Sequence, residues 1–159
     1  MNALERLIRI AEEDGIDIVD LVLQALPRRD PSEGVRLRIE IAEDYVREYE
    51  EYIKKGDPVQ ASEKLYKTAE ECIKALAEKF DLPEHQQALR EGRWYTYMLG
   101  KVAGRLSKIL GDWVSNGWSN AYLLHVWGFH EGKFSIDDVI TYADKIKEMV
   151  NETKRVVYQ

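Results

Sequence analysis

Apolar residues recur at three- and four-residue intervals along nearly the whole chain, and no other feature of the sequence constrains the fold as strongly. This spacing matches the α-helical repeat, whereas a strand would alternate apolar and polar residues. The four prolines fall between the periodic segments and mark where helices begin or end. The pattern predicts an all-α protein, and a length of 159 residues fits one compact domain.

Caps and helix breakers predict where the helices begin and end. Two short N-terminal helices, residues 2–13 and 16–26, are predicted to end at Pro27. The sequence Asp30-Pro31-Ser32-Glu33 has the form of a capping box and begins a long helix that ends at Gly56. The remaining helices are predicted at residues 57–80, 88–110, 113–129 and 135–150.

The predicted architecture is an antiparallel helical bundle of residues 31–159, with residues 1–30 packed on the same domain as short helices. The net charge of −6 disfavours non-specific binding of nucleic acid. Cys72 is the one cysteine and lies in an apolar stripe, so we expect an inert core residue and a reducing, cytoplasmic location. No run of about 18 apolar residues occurs, which predicts no membrane span.

The segment NAYLLHVWGFHEGKF places His125, His130 and Glu131 among large aromatic side chains. If the α-helix continues, His130 is rotated about 140° from His125, so the two rings diverge. Their five-residue separation misses the spacing of paired ligands on one helix, and we expect no metal site. The rings could converge if the helix unwinds at Gly128, but a third ligand must then come from elsewhere. The favoured interpretation is structural, with a ligand-binding or catalytic role as the alternative.

Aromatic residues are concentrated in one part of the chain: nine of the sixteen lie in residues 94–134, including all four tryptophans. Such a concentration is typical of a thick aromatic core or of a subunit interface. Trp118 and Trp127 are therefore candidate groove residues beside the histidines. Gly100 and Gly104 lie four residues apart and would let another helix approach closely. We predict a homodimer formed through this C-terminal half.

A basic stripe is formed by Lys101, Arg105 and Lys108, which share one helical face and could bind phosphate groups. The alternative is that these cations pair with the acidic helix before Gly56 or with glutamates of the helix at 57–80, or are simply solvated. Phosphate-binding loops rich in glycine are absent from the sequence, and we expect no cofactor.

Carboxylates are abundant and give little functional information by themselves. Glu70 precedes Lys74 by four residues on what is predicted to be the outer face of its helix, a pairing worth about 0.3 kcal/mol. Adjacent residues such as Glu70 and Glu71 are predicted to point apart. No acid–base pair or catalytic residue is assigned from the sequence.

Two segments, GDPVQASEKLYKTAEECIKALAEKF and WSNAYLLHVWGFHEGKFS, resemble the archaeal PaREP group of small helical proteins, which is similar in architecture to HEPN domains. The resemblance covers roughly residues 35–150. It implies a HEPN-like antiparallel bundle, often dimeric, in a family whose activity is largely undefined.

Many HEPN domains are ribonucleases, or partners of nucleotidyltransferases, in toxin and defence systems, and their catalytic signature is an Arg and a His separated by four to six intervening residues. This chain lacks that signature, since the nearest match is Lys79 ahead of His85. The resemblance therefore favours a dimeric interaction module without catalysis. The alternative is a nucleotide- or RNA-binding protein in which the basic stripe holds phosphates and His125 or His130 lies in the groove.

Overall fold

The computed structural model describes residues 2–26 and 32–159, and every regular element in that part of the chain is helical, as the periodicity predicts. The predicted stop at Pro27 and the Asp30 and Pro31 part of the capping box lie outside the described residues. The described elements, in chain order, are α1 (Ala3–Glu13), α2 (Ile18–Ala25), α3 (Ser32–Lys54), α4 (Pro58–Lys79), α5 (Pro83–Glu91), α6 (Thr96–Leu110), α7 (Trp113–Leu123), a π-helix (Leu124–His130) and α8 (Ile136–Val157).

Helix α4 is the centre of the bundle and packs against α3, α6, α7, α8 and the π-helix. Leu65, Ala69, Ile73 and Leu76 are fully buried, as the helical periodicity of this segment predicts, whereas Phe80 at its end is exposed. Cys72 on the same stripe is also buried, as predicted, and burial raises the pKa of its thiol to about 12. The helix therefore supplies one face to the core and leaves another for polar groups.

Two predicted helix starts are confirmed by their hydrogen bonds. The carboxylate of Asp57 accepts the Gln60 amide at 3.0 Å ahead of Pro58, which occupies the first turn of α4. At the start of α8, Ser135 and Asp138 form a reciprocal capping box, with distances of 3.2 and 2.9 Å.

The single helix predicted at residues 88–110 is wrong, because the chain breaks between α5 and α6. Gly92 has φ 75°, a left-handed conformation that ends α5, and Tyr95 is extended ahead of α6. The sequence between Ala88 and the apolar stripe of α6 contains no proline, so only Gly92 marks the break that the backbone makes there.

The N-terminal helices pack on the polar side of α4 through ion pairs. Lys67 contacts Glu12 of α1 at 3.1 Å, and Lys74 contacts Asp20 of α2 at 2.9 Å. The prediction that Glu70 and Lys74 lie on an outer face is wrong, because α2 covers that face and leaves the Lys74 side chain 1% exposed. Among the described residues, no helix combines the length and apolar character that crossing a bilayer requires.

Candidate ligand-binding cleft

The π-helix brings His125 and His130 together, so the predicted divergence of the two rings is wrong. Hydrogen bonds of a π-helix join residues five apart, and here the Glu131 amide donates to the Val126 carbonyl at 2.9 Å. Five residues therefore complete about one turn, and the histidine Nε2 atoms lie 3.1 Å apart. An α-helix of the same sequence would separate them.

Glu63, His125 and His130 form a hydrogen-bonded chain, which we call the histidine chain. The Glu63 carboxylate lies 2.9 Å from His125 Nδ1. Because a carboxylate only accepts, His125 carries its proton on Nδ1 and presents a lone pair at Nε2. When His125 is neutral, His130 donates its Nε2 proton to that lone pair. The chain therefore runs from the partly buried Glu63 to the exposed ring of His130.

The ring of His125 is held in place by aromatic packing. Tyr66, one helical turn from Glu63 on α4, stacks on it with ring centroids 3.8 Å apart. Phe129 also stacks on His125, with ring centroids 6.0 Å apart. Tyr122 and Trp118 continue this aromatic row, as the three- and four-residue steps between these positions predict. One face of α4 therefore provides both the hydrogen-bond acceptor and the stacking partner of His125.

The backbone of the π-helix lies directly against α4. A Cβ atom added at Gly128 would lie 2.2 Å from Ser62 Oγ and 2.7 Å from Ser62 Cβ. The Ser62 hydroxyl is itself fixed, since it donates to the Pro58 carbonyl at 2.7 Å. Only glycine permits this approach, which sets the distance from His125 to Glu63.

The histidine chain opens onto a cleft of about 1150 Å³ between the N-terminal helices, α3, α4 and the π-helix. Among the described residues, nine carboxylates and four lysines or arginines line it. Tyr45, Tyr52, Trp94 and Phe129 add aromatic surface. The cleft therefore combines excess negative charge with aromatic faces, both of which attract cations.

A buried ion network forms one wall of the cleft. Arg38 donates to Asp20 at 2.9 Å and to Glu71 at 2.8 Å, and Lys74 donates to Asp20 at 2.9 Å and to Asp17 at 3.2 Å. Ligand atoms of the three carboxylates lie within 4.8 Å of one another, a spacing that suits a metal ion. Arg38 and Lys74 contact all three carboxylates and offset two of their three negative charges, which favours a structural role for this network.

Glu70 faces the cleft beside this network, 3.4 Å from Lys74. Burial raises the pKa of Glu70 to about 7, and the negative charges of Asp17, Glu71 and Glu63 add to this effect, although Lys74 opposes it. The Glu70 carboxyl group therefore titrates near neutral pH. A cation bound in the cleft would favour its ionised form.

The other candidate residues from the sequence are not members of the histidine chain. Trp118 packs against Tyr66 at 5.8 Å, and Trp127 is 46% exposed. Glu131 is exposed at the end of the π-helix. None of these three is among the described residues that line the cleft.

The basic stripe is exposed on α6 and does not line the cleft either. Arg105 donates to Glu84 of α5 at 2.6 Å, so the predicted pairing of this cation with α3 or α4 is wrong. The stripe and the histidines therefore do not share the groove that an RNA-binding site of the predicted form would need.

Glu63 and the ion network are the polar residues that sequence reasoning missed. Their partners lie 18 to 62 residues away along the chain, so no local pattern marks them. The available signal was the five-residue spacing of the histidines together with Gly128, because a π-helix is the helical form in which that spacing converges.

Fold and site together define a small all-α protein with a polar cleft closed on one side by its N-terminal helices. A family model described as the archaeal PaREP1/PaREP8 family matches residues 37–150, and the chain belongs to this family. The match includes the whole histidine chain, whereas α1 and α2 precede it.

A crystal structure of a protein from Sulfolobus solfataricus is similar to this chain, with 35% sequence identity and a TM-score of 0.67. The similarity covers 74% of this chain and 96% of that one. No curated protein matches the chain significantly.

Proposed function

We propose that this protein is a binding module whose cleft takes a positively charged ligand, without a chemical step of its own. The observation that carries the proposal is the histidine chain, which opens onto a lining of nine carboxylates and four basic residues. Clefts lined by one sign of charge concentrate ligands of the opposite sign. The aromatic residues of the lining would contact the carbon chain or the charge of an organic cation.

Titration calorimetry with spermidine at low ionic strength tests this proposal. We expect binding that weakens about fivefold or more in Glu63→Gln, which removes one charge from the cleft and corresponds to about 1 kcal/mol. Glu51→Gln is the matched control, because it removes the same charge from an exposed position on α3 outside the lining. Equal affinities in the two variants, or no binding to the wild type, would contradict the proposal.

RNA binding at the basic stripe is the second candidate function, favoured by the exposure of Lys101, Arg105 and Lys108 on one face of α6. The Glu84 carboxylate opposes it by neutralising Arg105. Titration with a structured RNA in place of spermidine separates the two functions. Affinity that falls steeply with salt and is lost in a Lys101→Ala, Lys108→Ala variant would favour RNA.

We further propose that the protein is a homodimer located in the cytoplasm, with residues 1–30 added to the bundle of residues 31–159. Large apolar side chains are exposed in several parts of the described chain, and two groups of them support association. One group includes the aromatic residues Tyr95, Tyr97, Tyr122 and Trp127, and the other comprises Leu4, Leu7, Ile10, Ile16, Leu21, Val22 and Leu26 of the N-terminal helices and their linker.

Light scattering at micromolar concentration is expected to give twice the chain mass of 18.5 kDa. A monomer mass that stays constant with concentration would remove the dimer from the proposal. The cleft proposal does not depend on this result, because all its lining residues come from one chain.

A further inference from the structure

We infer that His125 and His130 bind a divalent transition-metal ion, such as Zn²⁺ or Cu²⁺, through their two Nε2 atoms. This inference rests on the proposed function, since the ion is a positively charged ligand bound at the histidine end of the same cleft. It differs from the sequence-based expectation because that expectation assumed an α-helix, in which the two rings diverge.

The distance between the two nitrogens fits shared coordination. Metal–nitrogen bonds of about 2.0–2.1 Å in a tetrahedral site place two nitrogen ligands about 3.3 Å apart. His125 Nε2 and His130 Nε2 are 3.1 Å apart, so their separation already suits a shared ion, and the exposed His130 ring has to turn so that its Nε2 points at the ion and not at His125. His130 then moves its proton from Nε2 to Nδ1, and both lone pairs point at the ion.

Glu63 prepares His125 for this role. Metal-binding imidazoles commonly donate their other N–H to a carboxylate, which fixes the tautomer and makes the ligand nitrogen more basic. The 2.9 Å contact between Glu63 Oε2 and His125 Nδ1 has that arrangement. Tyr66 stacked on the ring restricts its rotation, so the Nε2 lone pair is held toward the cleft.

The chain supplies two ligands and leaves the other coordination positions open. Within residues 2–26 and 32–159, no other His, Cys, Asp or Glu brings a third ligand atom within 4.8 Å of both nitrogens. Water or a second ligand in the cleft would fill the remaining positions. Two imidazoles favour Zn²⁺, Cu²⁺ or Ni²⁺ over Mg²⁺ or Ca²⁺, which prefer oxygen ligands.

Titration of the tag-free full chain with Zn²⁺ tests the inference. We expect one Zn²⁺ per chain, with affinity reduced at least about tenfold in His130→Ala and about 10–100-fold in Glu63→Gln. His85→Ala is the control, because it removes the remaining histidine, which lies on α5 outside the cleft lining, and it is expected to leave affinity unchanged. His130 is exposed, so its replacement is expected to leave the fold intact.

Electron paramagnetic resonance of the Cu²⁺-loaded protein counts the coordinating nitrogens directly. Two imidazole nitrogens in the wild type and one in His130→Ala are expected. Zn²⁺ affinity that is unchanged in His130→Ala, or no Zn²⁺ binding at all, would overturn the inference. If spermidine still binds the wild type while Zn²⁺ does not, only the metal site fails, whereas failure of both ligands also removes the proposed function.

Discussion

Replacing Lys74 with methionine is expected to lower the free energy of unfolding by about 3–5 kcal/mol, the cost of removing one partner from a buried ion network. The Lys74 side chain is 1% exposed and contacts Asp17, Asp20 and Glu70 at 3.2, 2.9 and 3.4 Å. Burial opposes its charge, but the surrounding carboxylates outweigh burial and raise the pKa of Lys74. Methionine is unbranched and only one atom shorter than lysine, so most of the loss comes from the missing charge.

Urea unfolding followed by circular dichroism at neutral pH measures this loss. Lys145→Met is the matched control, because Lys145 is 52% exposed and contacts Glu148 at 3.7 Å on the surface of α8. That substitution is expected to change stability by at most about 0.5 kcal/mol. A loss below about 1 kcal/mol in Lys74→Met would contradict this prediction, because other groups would then offset the charge of the buried carboxylates.

The pH dependence of the Lys74→Met variant has a defined sign. Removing the lysine removes the main effect that opposes burial and the neighbouring charges, which already raise the pKa of Glu70 to about 7 in the wild type. A carboxyl whose pKa is higher in the folded state than in the unfolded state binds its proton more tightly when folded. Stability of the variant is therefore expected to increase as the pH falls from 8 toward 5, which restores part of the loss.

The sequence predicts helices and their ends well because both depend on neighbouring residues. The Asp57 cap, the Pro58 first turn and the Ser135 capping box are all local, and each lies where predicted. Gly92 shows the limit of this reasoning, because a glycine within a periodic segment either continues the helix or ends it. The backbone conformation that decides between the two has no separate signal in the apolar pattern.

The candidate site was less predictable because it depends on contacts between distant segments. Glu70 and Lys74 have the spacing of a solvated surface pair, and only the packing of α2 over α4 makes that face an interior. In the same way, no feature near His125 identifies Glu63 as its partner. The five-residue spacing of the histidines was visible in the sequence. In an α-helix this spacing separates the two rings, whereas in a π-helix it brings them together.

Replacing Gly128 with alanine is expected to lower the free energy of unfolding by about 2–3 kcal/mol. The same replacement is expected to weaken the binding of any ligand to the histidine chain. The added Cβ would lie 2.2 Å from Ser62 Oγ, a contact that is impossible without moving α4 and the π-helix apart. Ser62 is fully buried, and rotating its hydroxyl away would break the hydrogen bond to Pro58 and leave the Cβ contact of 2.7 Å in place. Moving the helices apart also lengthens the hydrogen bond from His125 to Glu63.

Two further variants separate this clash from a general effect of alanine. Gly104→Ala on α6 places a Cβ where no atom lies within 4 Å, so it is expected to raise stability by up to about 1 kcal/mol through helix propensity. Ser62→Gly removes both clashing atoms, and in the Gly128→Ala background it is expected to recover at least about 1 kcal/mol relative to the sum of the single effects. Additive losses in that double-mutant cycle would mean that the close approach of Gly128 to Ser62 does not hold the two histidine rings together. Their convergence would then depend on the aromatic stack around His125.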